Sequence, residues 1–274
     1  MKSAIVTSTI APLMPVPEFN TEKADEALCG MTVEIIEELS KGWYYCNTSY
    51  RYKGYIYESH ISIDTEKACK WKEEAKNIIS HRYVDVMAEP KYQSHIIHNL
   101  VKGSIIKATT ETSDVWSKIV LPDSREGWIK SVYIGDYGAS SNSIPEKELR
   151  NNLVNTALDY LGTQYRWGGK SHLGLDCSGL CSISYLINGV TIYRDAQIKD
   201  GYDMREIPRE EIKKGDLIFF PGHVAMYLGD DKYIHSSSRN SGVFINSLNP
   251  EHEDYWEELA KSIIKCGSIF DKKK

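Results

Sequence analysis

Apolar and polar positions in the first half of the chain alternate in short bursts, each closed by a glycine or a polar turn. Residues 32–36, 43–46 and 54–57 read as strands, and so do 104–108, 116–120 and 127–129. The two sets are related by a shift of 73 positions. Met14 then falls on Met87, Pro17 on Pro90, Gly30 on Gly103, Trp43 on Trp116, Gly54 on Gly127, Ile56 on Ile129 and Ile61 on Ile134, with no gap. Glycine, proline and tryptophan have strong geometric roles, so shared spacing predicts the same backbone twice: small all-β barrels over 1–63 and 81–137. Between them, Ala68, Trp71, Ala75, Ile78 and Ile79 lie near helical spacing, which predicts a linking helix over 64–80.

A Gly, Ser and Asn-rich stretch over 135–143 reads as a linker. Ser143-Ile144-Pro145-Glu146 is a helix start, and Leu149, Leu153, Ala157 and Leu161 follow at every fourth position. An amphipathic helix therefore opens a third domain, 145–274. Its remaining pattern, an apolar helix from about 177 and strands over 215–220, 223–229 and 232–237, is α+β.

Composition narrows the picture mainly by exclusion. A net charge of −5 in 274 residues gives no electrostatic attraction to nucleic acid or to an anionic membrane. No run reaches the ~20 apolar residues of a membrane span. The first ten residues lack a continuous apolar core, so no signal peptide is read and a cytoplasmic protein is expected; a secreted protein trimmed of its leader would look the same. No CxxC pair or Cys/His cluster has metal spacing, so neither metal nor other cofactor is expected. Cys29, Cys46, Cys69, Cys181 and Cys266 read as reduced, mostly buried thiols. His60, His81, His95, His98, His172 and His252 read as surface or packing residues.

Cys177 differs from the other cysteines because it follows a glycine-rich loop and begins the apolar helix that Asn188-Gly189 ends. Unpaired N–H groups and the positive end of the helix favour thiolate over thiol, so a nucleophile near neutral pH is expected there. His223 opens one predicted strand and His235 lies late in the next. A hairpin brings the two onto one face, where His223 can serve as base and His235 can hold its tautomer.

These residues also carry a resemblance. Asp176-Cys177-Ser178-Gly179, the 215–220 strand before His223-Val224-Ala225-Met226-Tyr227-Leu228-Gly229, and Ile234-His235-Ser236 resemble the NlpC family of papain-like cysteine peptidases, over roughly 145–270. The resemblance implies a Cys177-His223-His235 triad that hydrolyses γ-D-glutamyl bonds in peptidoglycan stem peptides. It places the Tyr165 hydroxyl near the nucleophile and puts Asp176, Ser178 and Trp167 at the substrate. Residues 127–131 of the second barrel look like bacterial SH3-like modules, with the first barrel a diverged sister. Two such modules before an NlpC domain resemble the γ-D-glutamyl-L-diamino-acid endopeptidases, which require a free N-terminal L-Ala. That branch implies an amine-binding Asp195, in Arg194-Asp195, with Glu18 and Tyr52 of the first module assisting. At the registered positions of the second copy, Lys91 and Arg125 replace them. Ala196 departs from the Ser that often follows the Asp. The implied partner is a peptide with L-Lys or diaminopimelate in third place, and the expected state is a monomer. Two rival readings remain: a secreted wall hydrolase anchored by its SH3-like modules, and a non-catalytic binding protein.

Overall fold

The structure, a computed structural model, describes residues 2–138 and 144–270. Contacts divide the chain into two compact units, Met1–Ala139 and Ser140–Lys274.

The first unit is built from the repeat. Its first copy runs β1 (Lys2–Val6), β2 (Ile10–Leu13), β3 (Asp25–Leu28), β4 (Thr32–Glu38), β5 (Trp43–Thr48), β6 (Lys53–Tyr57) and β7 (Ile61–Ile63). After α1 (Thr65–Glu74) the second runs β8 (Asn77–Ile79), β9 (Tyr83–Met87), β10 (Ile96–Val101), β11 (Ile105–Ser113), β12 (Trp116–Val120), β13 (Glu126–Lys130) and β14 (Ile134–Asp136). Strand order matches element for element: β6-β5-β4-β1-β7 in one copy and β13-β12-β11-β8-β14 in the other, each with a partner hairpin, β2-β3 or β9-β10. Even the contact that joins hairpin to sheet is repeated, as Met14 against Tyr55 and Met87 against Trp128. Gly30 and Gly103 both adopt positive φ, +83° and +96°, at the same turn, which explains why glycine stands at both.

Two expectations change here. The linking helix stops at Glu74, because Ile78 and Ile79 are β-branched residues that complete the second copy as β8, where they are buried. The copies also share a core. Cys29 of the first packs among Ile79, Val84, Leu100 and Ile106 of the second, and its carbonyl accepts from the Ile105 N–H at 2.8 Å.

The second unit opens with α2 (Glu146–Leu158); Ser143 lies outside the described residues, and Pro145 immediately precedes the helix. Leu149, Leu153 and Ala157 are buried as their spacing predicts, whereas Leu161 lies past the helix end and is 39% exposed. A short hairpin, β15 (Lys170–Ser171) and β16 (Gly174–Leu175), leads into α3 (Cys177–Ile187). The sheet comprises β17 (Arg205–Ile207), β18 (Leu217–Phe220), β19 (His223–Gly229), β20 (Lys232–Ser237), β21 (Gly242–Ser247) and, after α4 (Glu257–Lys261), β22 (Lys265–Ser268). Its order is β17-β22-β18-β19-β20-β21, with every neighbouring pair antiparallel. Ile207, Ile218, Phe220, Ala225 and Tyr233 form a core cluster of this sheet. That rigid base fixes the strand ends carrying the histidines.

Candidate active site

Cys177 owes its place to Asp176, an N-cap in extended backbone whose Oδ1 accepts from the Gly179 N–H at 2.6 Å. The helix therefore starts at the cysteine itself. Gly179 lets its first turn press on the preceding loop: a Cβ there would lie 2.0 Å from the Gly169 carbonyl oxygen. The Cys177 thiol is buried and meets the N–H groups of Ser178 and Val224. Val224 follows His223, the first residue of β19, so the thiol sits where the histidine strand begins.

Strand register brings the histidines together. Met226 pairs with Ile234, so position 225 faces His235 and His223 is its diagonal neighbour on the same face. His223 Nε2 lies 2.8 Å from His235 Nδ1. His235 Nε2 continues to Asn246 Oδ1 at 3.1 Å, and the Trp256 ring packs edge-on against the His235 ring, with centroids 5.6 Å apart.

Burial governs the electrostatics. It pushes the Cys177 thiol up to about 11, reinforced by the Asp176 carboxylate and opposed by the two N–H groups and Arg194. Burial, with His235 as neighbour, lowers His223 to about 3, and burial lowers His235 to about 4 despite its bond to Asn246. Desolvation thus opposes the thiolate expected from the helix terminus, and both shifts run toward thiol plus neutral imidazole. Tyr165 is raised to about 12, by burial first and then by Cys177 and Asp176, which keeps its hydroxyl protonated and able to donate.

Both carboxylate oxygens of Asp176 are engaged. Arg194 reaches Oδ1 at 3.0 Å and Oδ2 at 3.1 Å, the Gly168 N–H reaches Oδ2 at 2.8 Å, and the Ser178 hydroxyl reaches Oδ1 at 3.2 Å. Arg194 also donates to Ser178 Oγ at 2.8 Å and to the Gly169 carbonyl at 3.2 Å. Asp176 therefore anchors helix, loop and arginine at once, and Ser178 is part of the same clamp. Trp167, on that loop, is 60% exposed. A narrow cavity flanking the nucleophile is lined by Ser178, Tyr193, Asp195, Lys199, Tyr202 and Val224. Glu18 and Tyr52 belong to the first unit, Glu18 exposed and Tyr52 half-buried.

The sequence reading passed over Asn246, the clamping role of Arg194 and Trp256. Asn246 left one faint signal, an amide directly after the apolar run 243–245. The other two depend on long-range contacts without a local pattern.

A cysteine opening a helix, with two linked histidines on the adjoining antiparallel sheet, defines a papain-like cysteine peptidase. Comparison with known proteins agrees. The NlpC/P60 family model matches residues 162–264. Dipeptidyl-peptidase 6 of Lysinibacillus sphaericus is 44% identical over 271 residues, 98% of this chain and 100% of that protein. The gamma-D-glutamyl-L-lysine dipeptidyl-peptidase of Bacillus cereus is 37% identical over 153 residues, 52% of this chain and 44% of that one. The crystal structure of an NlpC/P60 family protein from Bacillus cereus shares the fold, with a TM-score of 0.80 at 22% identity, over 96% of this chain and 98% of that one. This chain belongs to the NlpC/P60 family.

Proposed function

We propose that this enzyme hydrolyses the bond between γ-D-glutamate and the L-diamino acid of peptidoglycan stem peptides that carry a free N-terminal L-Ala, releasing L-Ala-γ-D-Glu. The observation that carries the reading is Asp195 on the cavity flanking Cys177, a carboxylate suited to receive an ammonium group. The names of the relatives, dipeptidyl-peptidase 6 and gamma-D-glutamyl-L-lysine dipeptidyl-peptidase, support it.

In this mechanism the Cys177 proton passes to His223 as the sulfur attacks the γ-carbonyl carbon. The oxyanion is held by the Cys177 N–H, which the first turn of a helix leaves without an intrahelical acceptor, and by the Tyr165 hydroxyl. Collapse gives a thioester and expels the diamino acid amine, which takes the proton from His223. Water, deprotonated by His223, then hydrolyses the thioester and restores the thiol. Burial penalises either charge alone more than the two side by side, so thiolate and imidazolium form together, during the transfer itself. Ser178 and Trp167 complete the substrate wall, while Asp176 acts through the clamp.

The two repeated modules are SH3-like barrels in this reading, and the enzyme is a cytoplasmic monomer acting on short soluble peptides. The test is mass spectrometry of products from L-Ala-γ-D-Glu-L-Lys, its diaminopimelate analogue and their N-acetylated forms. Free peptides should yield L-Ala-γ-D-Glu, and acetylation should abolish cleavage; equal rates on both would refute recognition of the amine. Asp195→Asn should raise KM for the free peptide about tenfold, the loss of ~1.4 kcal/mol from one charge-assisted bond. The same assay on Glu18→Gln and Tyr52→Phe decides whether the first unit takes part in substrate selection.

A further inference from the structure

The hydrogen bonds behind the nucleophile have a direction, and it is set at their far end. Asn246 lies on β21, where Phe244 pairs with His235, so Asn246 is two residues along on the same face. Its Nδ2 donates to the Asp254 carbonyl at 2.9 Å. A carbonyl only accepts, and turning the amide over would set two oxygens against each other. The orientation is therefore fixed, and Oδ1 faces His235 Nε2 at 3.1 Å. The carbonyl is itself held, since it also accepts from the Ser247 N–H at 2.9 Å.

The rest follows link by link. An amide oxygen only accepts, so His235 carries its proton on Nε2 and, being neutral, presents a lone pair at Nδ1. His223 Nε2, 2.8 Å away, must then be the donor of that pair. A neutral His223 has one proton, now committed to Nε2, so its lone pair lies on Nδ1, the nitrogen left for the Cys177 thiol.

We propose that Asn246 is a positioning residue that fixes the tautomers of both histidines and thereby makes His223 a base toward Cys177. This rests on Cys177 and His223 being the reacting pair. Asn246 itself takes no proton. When the thiol proton moves to His223 Nδ1, the imidazolium keeps its Nε2–H on His235 and transfer stops there. Without the Asn246 acceptor, His235 can carry its proton on Nδ1 instead. His223 Nε2 then accepts, and Nδ1–H turns toward the sulfur, where it cannot receive a proton.

Nitrogen-15 NMR of histidine-labelled full chain reads the tautomers without any substrate, so its outcome is independent of which peptide the enzyme cleaves. At neutral pH, His223 and His235 should both carry the proton on Nε2. Asn246→Leu should lose that bias at His235 and lower kcat on the cleaved peptide about 100-fold, the low end of what a general base contributes, with KM unchanged. Asn246→Asp keeps an oxygen toward Nε2 but sets its second against the Asp254 carbonyl, so it should retain both tautomers and recover only part of the rate. Its negative charge should move the acid limb of the pH profile upward. A wild-type His235 protonated on Nδ1 would overturn the proposal, whatever the fate of either variant. So would an Asn246→Leu protein with unchanged tautomers and kcat.

Discussion

Cys177 and His223 titrate away from each other, the thiol up to about 11 and the imidazole down to about 3, both chiefly through burial. Between those limits the pair holds one proton and no charge, so kcat/KM should be flat across neutral pH. The acid limb should lie below the ordinary imidazole range near 6.5. A pH–rate profile with its acid midpoint at or above about 6.5 would contradict the buried neutral pair. The same state makes the sulfur sluggish toward reagents that need a thiolate. Iodoacetamide should label Cys177 more slowly than the exposed Cys69 in the free enzyme, and quantitative peptide mapping of a short exposure measures the ratio.

At the scale of elements, the site depends on how α3 begins. The Gly169 carbonyl would lie 2.0 Å from a methyl at position 179, and both partners are backbone-bound. Gly179→Ala should therefore shift the helix start, costing activity at least tenfold and about 1–3 kcal/mol of stability, read by denaturant unfolding beside the assay. Arg194 is buried against Asp176 through two nitrogens. Arg194→Met removes the counter-charge of that buried carboxylate and should cost about 3–5 kcal/mol, whereas breaking a surface pair such as Arg239 with Glu258 should be barely measurable. Short-range patterns carried much of this into the sequence. The glycine-rich loop, the apolar run and Asn188-Gly189 delimit α3, and turn spacing puts His223 and His235 on one face. What stayed illegible was contact across the fold. Nothing local says that Arg194 reaches back to Asp176, or that burial overrides the helix terminus at Cys177. Ile78 and Ile79 fit a helix by spacing and a strand by chemistry, and only pairing with β11 and β14 decides between them.

For the whole molecule, histidines kept neutral by burial tie stability to pH. His60 and His98 in the first unit and His223 and His235 in the second are all lowered by burial. In the unfolded chain they protonate near 6.5, so from there down to the folded values the unfolded state binds more protons. Stability should therefore fall as pH drops through that window, by up to ~1.4 kcal/mol per pH unit for each of the two rings in the second unit. Denaturant unfolding between pH 7 and 5 tests this, and replacing His223 and His235 by Gln should flatten the slope.

The shared core of the repeat has a further consequence. Cys29 and its carbonyl serve the second copy, while the registered position there is occupied by Lys102, which cannot return the favour in the same way. The copies have lost their interchangeability. A fragment carrying the second copy alone would lack part of its interior, and neither could be moved to another protein as a self-sufficient bead. Recombination that transplants this architecture must carry the pair, so what began as a duplication is now inherited as one piece.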